Sequence, residues 1–125
     1  MTKEELAQLR YLRREVEGDK ERLRQVQHWA KAQSSQGKLL TEQYEKPVRR
    51  LEKRIQRNLQ THLEQLERLE SFLAGVEDSR MRLILELRYG RGLTWQQVAF
   101  RIGVWDEQVP RRWHNRFLAC QEIGK

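Results

Sequence analysis

A chain of 125 residues with 38% hydrophobic and 34% charged residues provides for one small globular unit with an extended appendage and excludes a large single core. The net charge of +7 favours a polyanionic partner, which for such a protein is most often nucleic acid. The single cysteine, Cys120, cannot close an internal disulfide and reads as an ordinary buried or half-buried thiol. With no secretory-leader pattern and no run of membrane-spanning length, a cytoplasmic protein without a membrane partner is expected. Two prolines and seven glycines interrupt a sequence rich in Leu, Glu, Gln, Lys and Arg, so the expected fold class is all-α.

From about Thr2 to Lys31, Leu9, Leu12, Val16, Leu23, Val26 and Ala30 fall at heptad spacing and predict a long amphipathic helix. Asp19 is the one polar member of that stripe. Together with Gly18 it reads as a solvated, slightly strained turn in preference to a bend or a register-setting polar site. The segment QSSQGK, Gln33 to Lys38, is polar and carries Gly37, which marks a connection.

A second long helix is expected from near Pro47, a residue suited to a first helical position, to about Leu73, with Tyr44 allowing a start one or two turns earlier. Its stripe is Val48, Leu51, Ile55, Leu59, Leu66, Leu69 and Leu73. Each helix would be on the order of 40 Å long, more than a small core requires. Their stripes therefore need each other or another chain: an antiparallel hairpin is the simplest arrangement, and a homodimer its main competitor. The cluster Lys46, Arg49, Arg50, Lys53, Arg54 and Arg57 admits two readings of equal standing. One is an extra phosphate-contacting surface, for which Arg49, Arg50, Lys53 and Arg54 are the candidates; the other is a solvated face paired to Glu42, Glu45 and Glu52. His62, on the apolar side, reads as a packed or interface histidine, since His28 and His114 lie far off in sequence and no cysteine pair is near.

After Ala74 and Gly75, Asp78 or Ser79 can cap a helix through Tyr89 whose apolar residues Met81, Leu83, Ile84, Leu85 and Leu87 imply burial on two sides. Gly90 and Gly92 then turn the chain into the stretch 93–118, LTWQQVAFRIGVWDEQVPRRWHNRFL. Thr94 and Gln97 form a capping box, and Leu93 with Val98 a hydrophobic staple. Val98, Ala99 and Ile102 make one apolar face, Trp95 and Phe100 read as core or subunit contact, and Gly103 supplies the turn. A second, basic helix should begin near Trp105 or Asp106, although Pro110, comfortable only in a first turn, is compatible with a start as late as Val109. Its buried face is expected to be Val109, Trp113 and Phe117. Arg111, Arg112, Asn115 and Arg116 then stand outside it and Gln108 near its start, residue types that match guanine edges, phosphates and adenine. This is the pattern of a helix-turn-helix, so residues 1–75 are expected to form the hairpin or oligomerising coiled coil and 76–125 a DNA-binding domain.

The run from Asp78 through RLILELRYGRGLTWQQVAFRIGV resembles the C-terminal, promoter-reading domain of bacterial sigma factors. Most of all it is similar to the small phage-encoded late-gene regulators of the ArpU and RinA type, with LRYGRGLTWQQVA its most specific part. The resemblance implies a transcription regulator that binds double-stranded promoter DNA in a bacterial host, with RNA polymerase as a further candidate partner. It departs from the family pattern at Trp105, in place of a small capping residue, at Pro110, and in the four-residue step from Val109 to the next apolar residue. A small-terminase-like packaging subunit and a structural coiled-coil adaptor are the alternatives, to be told apart by oligomeric state and DNA affinity. No phosphate-binding glycine loop, metal-spaced histidines or nucleophile with a partner base is present, so neither an enzyme nor a cofactor or metal is expected.

Overall fold

The computed structural model describes residues 1–33 and 38–123. The described residues are helical nearly throughout and contain no strand: α1 (Lys3–Gln33), α2 (Lys38–Ala74), α3 (Ser79–Leu85) continued by a π-helical turn (Glu86–Gly90), α4 (Trp95–Ile102) and α5 (Gln108–Ile123). The expected QSSQGK connection lies outside the described residues apart from Gln33 and Lys38, which end α1 and begin α2. No helix of the described residues is long and apolar enough to cross a membrane.

Thr2 starts α1, its hydroxyl accepting from the Glu5 N–H at 3.1 Å, with Glu4 and Glu5 in the first turn where the helix dipole favours acids. Pro47 lies inside α2, not at its first position. The proline removes one N–H and presses on the preceding turn, but that loss is local, whereas helix on its N-terminal side regains backbone bonds. It also sets half-buried Tyr44 on the same stripe as Val48 and Leu51.

The chain forms two compact units, Leu12–Leu63 and a second made of Met1–Tyr11 with Glu64–Lys125. The boundary expected after residue 75 falls inside the second of these.

In the unit Leu12–Leu63 the two long helices run antiparallel. Asn58 donates to Glu15 at 3.3 Å and Arg54 to Asp19, so four residues forward on α1 match four back on α2. Val16, Leu51 and Ile55 are buried in this seam within a single chain. Asp19 is not a solvated turn. Its carboxylate, 10% exposed, takes both prongs of the Arg54 guanidinium at 2.7 and 3.0 Å. The charge is tolerated among apolar neighbours because a bidentate pair satisfies both carboxylate oxygens while Arg54, 42% exposed, keeps contact with water. His62 is buried, as its place on the stripe suggested.

In the other unit, α3 lies between two apolar clusters, as its two-sided pattern predicts. Met81, Leu85 and Tyr89 face Leu6, Leu9, Leu69, Val76 and Leu118, while Ile84 and Leu87 face Val98. Asp78 caps the helix by accepting from the Arg80 and Met81 N–H groups. Trp113 packs against both clusters and carries the Arg80 guanidinium 3.8 Å over its ring. Glu5 and Arg68 pair at 2.5 Å across the same unit. Two expectations are corrected, since Leu83 is exposed and Cys120 is an exposed thiol; Phe100, 82% exposed, is not a core residue, which leaves the subunit-contact half of its reading.

Gly18 is exposed on α1, and a methyl group added there would meet nothing within 4 Å. Gly18→Ala should therefore stabilise the protein by about 0.5–1 kcal/mol, read as a raised urea midpoint. At the seam, Arg54→Met should destabilise more than Asp19→Asn, because it strands a buried carboxylate whereas asparagine still accepts from the guanidinium. The reverse order in paired urea titrations would show that Asp19 is solvated.

Candidate nucleic-acid interface

The approach to α5 is set by short-range hydrogen bonds. Thr94 accepts from the Gln97 N–H at 3.2 Å and the Gln97 side chain accepts from the Thr94 N–H at 2.9 Å, the complete reciprocal cap expected. Leu93 and Val98 pack in one cluster beneath it. At the far end Gly103 has φ +85°, a left-handed conformation that a side chain would strain. The Val104 N–H returns to Ala99 O at 3.0 Å and half-buried Val104 turns inward.

The start of α5 resolves the alternatives left by the sequence. The Asp106 carboxylate accepts from the Gln108 N–H at 2.9 Å and its carbonyl from the Val109 N–H at 3.1 Å, a turn that leads into the helix beginning at Gln108. Trp105 is outside it and fully exposed. Pro110 sits in the first turn, where its missing N–H removes no helical bond. The expected buried face of Val109, Trp113 and Phe117 is corrected by one position: Pro110, His114 and Leu118 are the buried residues, and the other three flank them half-buried. The register turns because Pro110 is apolar and compact enough to enter the core, carrying His114 and Leu118 inward one turn apart.

Opposite that face Gln108, Arg111, Arg112, Asn115 and Arg116 are all exposed, at three- and four-residue steps that place them on one stripe. The structure thus brings these five expected residues together. Arg112 leans back, its Nε 3.4 Å from Gln108 O and a guanidinium nitrogen 4.0 Å from the Asp106 carboxylate. On α2, Arg49, Arg50 and Lys53 are exposed and Arg49 pairs with Glu45, whereas Arg54 is turned to Asp19. Arg54, expected either to contact phosphate or to pair along its own helix, is corrected to a seam residue held by Asp19, while Arg49 pairs with Glu45 as the solvated-face reading had it.

Sequence reasoning missed a buried polar group beneath the stripe. The Tyr89 hydroxyl lies 2.5 Å from His114 Nε2, and His114 Nδ1 lies 2.9 Å from Asn115 Oδ1. Trp95 meets the imidazole edge-on at 4.8 Å, with the Arg88 guanidinium 4.4 Å over its indole and donating to Leu93 O at 3.1 Å. Burial pushes the His114 imidazole below its usual 6.5, against the Asn115 hydrogen bond, with Arg88, Lys3 and Arg111 adding to the downward shift. Burial likewise raises the Tyr89 phenol. The signal that could have found this site is the four-residue spacing of Pro110, His114 and Leu118. Among the described residues no group of three or more His, Cys, Asp or Glu could hold a metal ion.

No protein-family model matches the chain, and no curated protein or solved structure matches it.

Burial also lowers the His62 imidazole, with Arg13 adding to the effect and Glu17 opposing it. Both folded values lie below the unfolded one. The stability gained by keeping these rings neutral is thus complete above about pH 6.5 and lost as pH falls through the depressed values. The urea midpoint should drop between about pH 7.5 and about pH 5, and by less in His114→Gln and in His62→Gln. An undiminished drop in both variants would place the titration elsewhere.

Proposed function

We propose that this chain is a sequence-specific DNA-binding transcription regulator in which α4, the Gly103 turn and α5 act as a sigma-like helix-turn-helix, with α5 in the major groove. The observation that carries the reading is the exposed stripe Gln108, Arg111, Arg112, Asn115 and Arg116, backed by the buried Pro110, His114 and Leu118. Arginine offers bidentate donors to guanine and phosphate, asparagine and glutamine match adenine, and a major groove admits a single helix carrying such side chains on its exposed face. Supporting it are the capped α4, the left-handed Gly103 and the +7 charge.

The resemblance to phage late-gene regulators gives the reading its biological form. The protein acts in the cytoplasm of a bacterial host, on promoter DNA and alongside RNA polymerase, and its part is binding rather than catalysis. Arg111 and Arg112 lie in the first turns of α5, where base contacts of such helices concentrate, and Arg116 lies further along toward the backbone. Exposed Arg50 and Lys53 on α2 are candidates for phosphate contact only.

Selection of preferred duplexes from random DNA, followed by titrations, tests the reading. Arg111→Ala or Arg112→Ala should weaken the selected site by about 1–3 kcal/mol and relax preference at one base position. Lys53→Ala should weaken all sequences alike or have no effect, and affinity should fall steeply with salt. Unchanged discrimination in both arginine variants, or a flat salt dependence, would overturn the assignment.

A further inference from the structure

We infer that the outer face of α4 is a homodimer surface, on which two copies of the chain pack their α4 helices antiparallel about a two-fold axis with the exposed Trp105 of each seated in a groove beside α4 of the other. The inference does not depend on the DNA-reading role proposed for α5, since none of that stripe lines the groove.

Val98 and Ala99 take up the buried side of α4, which leaves Gln96, Gln97, Phe100 and Arg101 facing outward. Phe100 is 82% exposed, and Trp105, just past the Gly103 turn, is fully exposed. A single exposed apolar side chain calls for no explanation, but the two most exposed large hydrophobics among the described residues both fall on this short stretch. Beside Phe100 the surface is concave: Leu93, Gln96, Gln97, Phe100 and Arg101 line a groove of about 420 Å³. The groove reaches back to Leu93, ahead of the first residue of α4, whereas Trp105 stands beyond its last. A groove and a knob at opposite ends of one helix meet twice when that helix is paired antiparallel with its own copy, as an isologous contact requires.

The charges follow the same polarity. Arg91 precedes α4 and Arg101 lies in its last turn, while Glu107 follows Trp105, all three exposed. Among the described residues none of the three forms an ion pair within the chain. Setting Gln97 of one copy against the partner's Phe100 lets Arg101 donate to the amide oxygen of the partner's Gln96. It also carries the partner's Trp105 over Leu93 and the partner's Glu107 beside Arg91. A parallel pairing would instead oppose like charges at both ends. A duplex is a poorer occupant, because its base faces are stacked on one another and offer no surface to an aromatic ring. Aromatic side chains bury about 150–250 Å² each, so two Phe100 and two Trp105 supply most of the roughly 1,200 Å² at which specific interfaces begin. The dimer is therefore a reversible one.

Sedimentation of the full chain without DNA, from micromolar to submillimolar concentration, tests this. The mass should rise with concentration from that of one chain towards that of two. Trp105→Ser and Phe100→Ser change exposed side chains, so each should leave the urea midpoint in place while weakening association by about tenfold or more. Glu107→Arg alone or Arg91→Glu alone should weaken it as well, and the two together should restore it, since the reversed pair meets again across the axis. A chain that stays monomeric throughout overturns the inference, and if its Phe100→Ser variant then binds duplex DNA less well, the face belongs to nucleic acid. A dimer indifferent to both Trp105→Ser and Phe100→Ser, or one that the double reversal does not restore, overturns it too. None of these results touches the selection experiment on α5.

Discussion

Burial of α3 on two sides is the constraint on which the rest of its unit depends. Ile84 and Leu85 are adjacent, both fully buried, and belong to different clusters, so neither side of the helix is free to turn. One side is closed by Leu6, Leu9 and Leu69 from the long helices, and the other by Val98 from α4. Full burial of each such side chain contributes on the order of 1.5–3 kcal/mol. A helix of seven residues, even with the five of its π-helical continuation, is too short to sustain itself in water, so its order comes from these contacts. Whatever α4 and α5 do, they do from a position that α3 fixes.

The same logic extends to α5. Helix rotation about its own axis is decided by three inward residues, Pro110, His114 and Leu118, and the exposed stripe is what remains when these are seated. One of the three is polar, and an imidazole so placed must hand its hydrogen bonds somewhere. Inward it meets Tyr89 and outward Asn115, so the core and the proposed reading surface share one chain of donors and acceptors. A buried network of this kind tolerates few orientations, which favours a defined side-chain geometry at its exposed end.

What the sequence revealed and what it concealed divide by range. The Thr94 and Gln97 box, the Gly103 turn and the Asp78 cap are governed by residues three or four apart, and the chemistry is visible in the string itself. The two-sided burial of α3 was legible for the same reason, since apolar residues recur on more than one face. Asp19 was misjudged because its partner, Arg54, lies on another helix, and no local pattern couples them. The buried face of α5 was set one residue off because large aromatics were assumed to lead. In fact the compact Pro110 enters the core while Trp113 is held half-buried beneath Arg80. The five exposed polar residues survived that error, since a one-residue rotation still leaves them outside a stripe this narrow.

The composition of the unit built from Met1–Tyr11 and Glu64–Lys125 has a consequence for the order of events during synthesis. Leu12–Leu63 is one unbroken stretch and can close as soon as it has emerged. Leu6 and Leu9, by contrast, are among the most deeply buried side chains of the described residues, and the neighbours of their cluster run from Leu69 to Leu118. The first turns of α1 must therefore wait with their leucines only partly covered until Leu118 has been made, a long-range closure that slows folding and exposes an apolar segment in the meantime.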